Sequence, residues 1–117
     1  MKTLGLIVKE KRNKREMTLR RFCEKANLDP SNWSKIERGL IEAPKSRKVL
    51  DEIADILDMN SEERQEILDL AIIESIPKDI KPNQRVLDAL PVFFRTAREL
   101  KPSEEEIRNL IELLKHN

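Results

Sequence analysis

The sequence predicts an all-α protein, a five-helix bundle followed by a helical C-terminal extension. Aromatic residues make up only 3% of the 117 residues, and tyrosine is absent. Leu, Ile, Glu, Lys and Arg recur at spacings of three and four residues, which is the period of amphipathic helices. The length suits one compact domain with a terminal extension.

Threonines mark the starts of the first two helices. Thr3 can cap a helix over about Leu4 to Lys14, and Thr18 can cap a second helix that ends near Asn27. The second helix has apolar residues in the i, i+3, i+4, i+7 pattern, namely Leu19, Phe22, Cys23 and Ala26. We therefore expect one face of this helix to enter a core.

A third helix begins at Asp29 and Pro30. An acid at the N-cap followed by proline at the first helical position is a start signal, so we expect a helix over about Pro30 to Arg38 with a stop at Gly39. Three or four residues separate the second and third helices, which is the spacing of a helix-turn-helix.

Two further helices complete the predicted bundle. Pro44 and Ser46 introduce a fourth helix over about Ser46 to Leu57, and Ser61 begins a fifth. The predicted inward residues are Val49, Leu50, Ile53, Ile56 and Leu57 in the fourth helix, and Ile67, Leu68, Leu70, Ala71 and Ile72 in the fifth.

The segment from Pro77 to Pro82 is the predicted linker. It divides a bundle of residues 1–76, with its core motif at 18–39, from an extension of residues 77–117. In the extension we expect a short helix over about Asn83 to Leu90, a second after Pro91, and a last one that follows a capping box formed by Ser103 and Glu106.

The composition argues against an enzyme, a metal site and a membrane protein. The single cysteine, Cys23, cannot form an internal disulfide, and the single histidine, His116, cannot build a metal cluster or a catalytic base. Gly5 and Gly39 are too few for a phosphate-cradling loop, so no cofactor is expected. No apolar run approaches the roughly 18 to 20 residues of a membrane span, and no secretory h-region follows Lys2, which predicts an unprocessed cytoplasmic protein.

Charge is distributed unevenly along the chain. Residues 1–48 hold 14 Lys and Arg against 6 Asp and Glu, a balance of +8, whereas residues 49–117 hold 9 against 16, a balance of −7. This asymmetry favours a basic docking surface on the first half of the chain.

The third helix has two chemically different faces. At 100° per residue, Trp33, Ile36 and Leu40 fall on one face. Ser31, Lys35 and Arg38 lie within about 60° of one another on the opposite face. A polar and cationic face of this kind fits a DNA major groove, where short polar groups read base edges and cations meet phosphates.

Residues 4–39, LGLIVKEKRNKREMTLRRFCEKANLDPSNWSKIERG, resemble the Cro and phage-repressor type of helix-turn-helix domain, the XRE family. The resemblance covers roughly residues 4–58 and includes the LG opening, the Thr before helix two, the small residue at Cys23, and the S-x-I-E-R-G ending at residues 34–39. It implies a five-helix domain that binds double-stranded DNA at an inverted-repeat operator as a homodimer, with its third helix in the major groove.

The same resemblance implies base contacts at three positions of the third helix, which are Pro30, Ser31 and Lys35. Lys35 can donate to guanine O6 and N7, Ser31 can bond to several bases, and Pro30 offers apolar contact to a thymine methyl.

The resemblance also implies phosphate contacts at Asn32, Arg38 and Lys45, together with backbone N–H groups near Thr18. Arg47 and Lys48 would extend this footprint. At Leu19 many family members have a glutamine that bonds phosphate, and Arg20 or Arg21 can supply the charge here instead, or simply be solvated.

Four other residues are given structural roles. Arg12 and Glu37 occupy positions that form a partly buried ion pair in several phage repressors. Trp33 is expected in the core rather than stacked on a base, and Cys23 is expected to be a buried, unreactive thiol rather than a redox sensor.

The extension has an apolar cluster at Leu87, Leu90, Val92, Phe93 and Phe94. One interpretation is that the cluster folds back on the fifth helix. The other is a surface for a dimer or a partner, comprising Phe93, Phe94, Ile107, Leu110, Ile111 and Leu114.

The functional prediction is a DNA-binding transcriptional repressor from a bacterium or phage. The alternative is an antitoxin or a peptidase-controlled repressor, whose C-terminal helices bind a toxin or an anti-repressor peptidase. These partners are implied by the resemblance alone.

Overall fold

The computed structural model describes residues 2–101 and 103–115, except for the side chains of Leu110 and Leu114. The predicted roles of those two side chains and of His116 therefore lie outside the described residues. Every regular element within the described ranges is helical, which confirms the all-α class. No described helix is both long enough and apolar enough to cross a membrane.

The chain forms two compact units, which we call the N-terminal unit (Met1–Asn83) and the C-terminal unit (Gln84–Asn117). The N-terminal unit contains α1 (Leu4–Lys14), α2 (Leu19–Ala26), α3 (Pro30–Glu37), α4 (Arg47–Ile56), α5 (Ser61–Glu74) and a 3₁₀ turn at Lys78–Ile80. The C-terminal unit contains α6 (Gln84–Leu100) and α7 (Glu104–Lys115). The predicted boundary between residues 76 and 77 stays a prediction.

Side-chain caps fix the starts of the first four helices where the sequence places them. The capping oxygens of Thr3, Thr18, Asp29 and Ser46 accept hydrogen bonds from the backbone N–H groups of Leu6, Arg21, Asn32 and Val49, at 3.2, 3.1, 2.9 and 3.5 Å. The fifth start has a capping box, because Asn60 and Glu63 each accept from the other's backbone N–H.

The core of the N-terminal unit lies where its five helices meet. α1 packs against α3 and α5, α2 packs against α3 and α4, and α4 packs against α5. The most deeply buried large side chains are Leu4, Val8, Phe22, Trp33, Leu50, Ile53, Leu57, Ile67 and Ile73. This packing holds α3 between α1 and α2.

Two residues expected inside are exposed. Leu40 is 64% exposed, because α3 ends at Glu37 and Gly39 turns the chain away with a φ of 75°. Ile72 is 56% exposed and Ile73 is buried instead. Ile72 lies about 200° round α5 from the buried Leu70, so both cannot face the same core.

The prediction of two helices separated at Pro91 is wrong. α6 runs without interruption from Gln84 to Leu100, with Pro91 inside it. Proline removes one intrahelical hydrogen bond. The continuous helix nevertheless keeps its buried and half-buried residues on one side, and these are Leu87, Leu90, Pro91, Phe94 and Ala97. The capping box before α7 is confirmed, with Ser103 and Glu106 each accepting at 3.2 Å.

Candidate nucleic-acid interface

The ends of α3 are sharply defined by its sequence. Asp29 Oδ2 accepts from the Asn32 N–H at 2.9 Å, and Pro30 occupies the first helical position. Beyond the last turn, Gly39 adopts a left-handed conformation that a side chain would strain. α3 is therefore a short helix with a fixed start and a fixed end.

A buried polar network attaches α3 to α1. Arg12 Nε and Nη2 donate to the two Glu37 carboxylate oxygens, at 3.1 and 2.9 Å, and both residues are 8% exposed. The Trp33 indole Nε1 also donates to Glu37, at 2.9 Å. Arg12 Nη1 donates to the Met17 carbonyl at 2.8 Å, in the turn before α2. One guanidinium thus connects α1, the α1–α2 turn and α3.

This network can be stable only because its charges are paired and hydrogen-bonded. A buried ion without such partners would cost several kcal/mol, of order 3 or more. The bidentate geometry also fixes direction, because both guanidinium nitrogens and both carboxylate oxygens are used. The network therefore fixes the orientation of α3 relative to α1.

Two packing contacts hold α3 on its other sides. The rings of Phe22 in α2 and Trp33 in α3 lie 5.4 Å apart at a tilt of 47°. Gly5 in α1 faces the end of α3, and a Cβ there would overlap the Ile36 carbonyl group, whose carbon would lie at 2.8 Å. The close crossing of α1 and α3 thus requires a glycine.

The remaining face of α3 is open. Pro30, Ser31 and Lys35, the predicted base-contact residues, are all exposed, and so are Asn32 and Arg38. The helical period places Ser31, Lys35 and Arg38 within about 60° of one another. A single helix face thus presents a hydroxyl and two cations, while the opposite face is locked into the core.

The other predicted phosphate contacts are exposed as well, and these are Thr18, Arg20, Arg21, Lys45, Arg47 and Lys48. Thr18 caps α2, whose first N–H groups have no acceptor inside the helix and carry its positive dipole end. Such a helix start is suited to a phosphate oxygen.

Three of these cations form long, solvent-exposed ion pairs with acidic side chains. Arg21 lies 3.5 Å from Glu24, Lys45 lies 3.5 Å from Glu42, and Arg47 lies 3.7 Å from Asp51. Exposed ion pairs at these distances contribute little to stability, typically about 0 to 1 kcal/mol, so a phosphate group can replace the carboxylate as the partner of each cation. Within the described residues, Arg20, Lys35 and Lys48 have no ion pair.

Cys23 is 1% exposed beneath this interface. Burial raises the pKa of its thiol, and the neighbouring Glu37 carboxylate raises it further. Because the thiolate is the reactive form, this environment suppresses the oxidation chemistry that a redox sensor needs.

Sequence reasoning missed two contacts that position the interface. One is the Trp33 to Glu37 hydrogen bond, which the i, i+4 spacing could have indicated. The other is Glu74 in α5, which accepts from the Leu4 N–H at 2.9 Å and so caps the start of α1 across 70 residues. No local signal points to that long-range contact.

Two capped helices at helix-turn-helix spacing, the second with an exposed polar and cationic face, define a helix-turn-helix DNA-binding domain. The helix-turn-helix domain family model matches residues 3–67, which is more than half of the chain, and the protein belongs to that family. The family is typically non-enzymatic. No curated protein and no solved structure matched the chain.

Proposed function

We propose that the protein is a sequence-specific transcriptional regulator of the Cro and phage-repressor type, which binds an inverted-repeat operator as a homodimer and represses transcription by occupying it. The observation that carries this proposal is the exposed α3 face of Ser31, Lys35 and Arg38, on a helix that the Arg12–Glu37 pair joins to α1.

Base readout is assigned to the start and middle of α3. Lys35 is exposed and has no ion pair in the described part of the chain, so its ammonium can donate to guanine O6 and N7 without breaking an existing contact. Ser31 lies about one helical turn earlier on the same face and supplies a donor and an acceptor. Pro30 adds only apolar contact.

Phosphate binding is assigned to the cations and the helix start that surround this face. These are Thr18, Arg20, Arg21, Asn32, Arg38, Lys45, Arg47 and Lys48. Phosphate contacts release counterions, so the affinity must fall steeply with salt. The antitoxin and peptidase-controlled alternatives stay predictions.

A selection from random-sequence DNA, run at low and at moderate salt, tests the proposal. We expect enrichment of an inverted repeat, with lower affinity at the higher salt concentration. Failure to enrich any sequence would contradict sequence-specific binding, and enrichment of a single unrepeated site would contradict the homodimer.

The phosphate assignment has its own test on the enriched site. Arg38→Ala should reduce the slope of log affinity against log salt by roughly 1 per subunit. Lys9→Ala is the matched control, because Lys9 is an exposed lysine on α1 outside the proposed footprint. An unchanged slope in Arg38→Ala would remove Arg38 from the interface.

A further inference from the structure

α6 has a stripe of exposed large apolar side chains along its length. Val86, Phe93 and Leu100 are 44%, 51% and 73% exposed, and they follow one another at intervals of seven residues. At 100° per residue these three positions lie within about 40° of one another. A continuous exposed apolar stripe of this kind marks a surface for another protein.

The stripe borders the side of α6 that is already covered. Leu87 is buried, and Leu90, Phe94 and Ala97 are half-buried. The smaller residues on the exposed side are Ala89 and Thr96, which lie between the large ones in the order of a heptad repeat. Large residues at one heptad position and small ones at the other allow two such helices to interlock.

The charges beside the stripe indicate which helix fits it. Arg85 and Glu99 each precede an end residue of the stripe by one position, and both are exposed. Within the described residues neither has an ion pair. Fourteen residues separate them, so they lie on the same edge of α6, with opposite charges at its two ends.

A second copy of α6 running antiparallel matches both the shape and the charge. Heptad geometry then places Phe93 opposite the partner's Ala89 and Val86 opposite the partner's Thr96. The same register places Arg85 beside the partner's Glu99, and the two-fold axis repeats this pair at the other end. A parallel register would leave both charges without an opposite charge across the interface.

We propose that α6 pairs antiparallel with α6 of a second copy of this chain, through Val86 and Phe93 of the stripe and two symmetric Arg85–Glu99 contacts. This rests on the homodimer of the proposed function and specifies its interface. Of the surface expected from sequence, it retains Phe93 and replaces Phe94 and the α7 residues.

Charge exchange tests the pairing, with sedimentation equilibrium of the full chain in the absence of DNA. Arg85→Glu and Glu99→Arg should each weaken the dimer by about tenfold, because two attractive contacts become repulsive. The double variant Arg85→Glu/Glu99→Arg should return to within about twofold of the wild type, since the pairs are restored with reversed sign.

Arg95→Glu is the matched control. It makes the same change in net charge on an exposed residue of α6, about 200° round the helix from Phe93. It should leave the dimer unchanged. A monomeric wild type would overturn the proposal, as would single variants that match the wild type or a double variant that stays as weak as the singles.

Cysteine cross-linking tests the orientation. In the antiparallel register the two copies of position 92 lie next to the two-fold axis, so Val92→Cys should cross-link to its own copy with a short bis-maleimide. The two copies of position 100 lie about 27 Å apart along the axis, so Leu100→Cys should not. Wild-type protein controls for Cys23, which is buried. Cross-linking of Leu100→Cys to its own copy would overturn the antiparallel register.

Separate measurements distinguish failure of this proposal from failure of the proposed function. Binding to a half-site DNA, measured by fluorescence anisotropy, should be the same for Arg85→Glu and the wild type. Lys35→Ala should sediment as the wild type does. If the half-site is bound and the charge variants do not alter sedimentation, the α6 pairing is wrong while the DNA-binding assignment stands.

Discussion

The two units of the chain leave opposite kinds of surface exposed. The N-terminal unit buries most of its large apolar side chains and exposes the cations around α3. In the C-terminal unit Leu87 is the only buried residue among those described, while Phe93, Leu100 and Ile107 are 51%, 73% and 44% exposed. Exposed cations on a unit whose apolar side chains are mostly buried are typical of a surface that binds a polyanion. Exposed apolar side chains are typical of a surface that binds another protein.

Two phenylalanines give the sharpest version of this comparison. Phe22 is 0% exposed and packs on Trp33, so Phe22→Ala should lower the free energy of unfolding by about 3 to 5 kcal/mol. Phe93 is 51% exposed, so Phe93→Ala should cost under about 1 kcal/mol in the monomer. Urea unfolding at low protein concentration measures both. Similar losses would contradict the contrast between the units.

The Arg12–Glu37 pair should behave as one unit. Glu37→Ala leaves a buried guanidinium and the Trp33 indole N–H without their acceptor, so we expect a loss of about 3 to 4 kcal/mol. Adding Arg12→Met should recover part of that loss, because the uncompensated charge is gone. A double-mutant cycle by urea unfolding measures this. Additive losses from the two substitutions would show that the pair is not coupled.

Gly5 should tolerate no side chain. In an exposed helix, Gly→Ala stabilises by roughly 0.5 to 1 kcal/mol. Gly5→Ala should instead destabilise by about 1 to 3 kcal/mol, because its Cβ would overlap the Ile36 carbonyl group and force α1 from α3. Thermal or urea unfolding gives the sign, and a stabilised variant would contradict the close helix crossing.

The smallest predicted effect is a pH dependence of folding stability that arises from Glu74. Burial raises the pKa of its carboxyl group, while the Leu4 N–H and Lys81 act in the opposite direction. The folded state therefore holds the proton more tightly than the unfolded state, so stability falls as pH rises from about 4.5 through the raised pKa. Glu74→Gln should flatten this part of the stability curve. An unchanged curve would show that Glu74 does not cause it.

Local signals were sufficient for most of the fold. Capping residues at Thr3, Thr18, Asp29 and Ser46 fixed helix starts, since a cap acts within three residues of itself. The same reasoning failed at Pro91, where local propensity predicts a helix end. Proline inside a helix loses one backbone hydrogen bond, but the continuous helix keeps the apolar residues before and after Pro91 on one face. Propensity alone does not include that gain.

The candidate site, like the fold, could be predicted from the sequence only in part. The exposed face of α3 follows from helical period, so Ser31, Lys35 and Arg38 could be placed from the sequence. The family resemblance predicted the Arg12–Glu37 pair, and the i, i+4 spacing could have indicated the Trp33 hydrogen bond. The Glu74 cap depends on tertiary packing that no spacing rule contains.

We propose above all that α3 reads the base sequence through Lys35, while Arg38 binds the phosphate backbone of the DNA. The most direct measurement is the affinity of wild type, Lys35→Ala and Arg38→Ala for every single-base variant of the selected site. We predict that Lys35→Ala loses discrimination at one position of each half-site, worth about 1 to 3 kcal/mol, and that Arg38→Ala weakens all sequences uniformly. An unchanged base preference in Lys35→Ala would contradict the account.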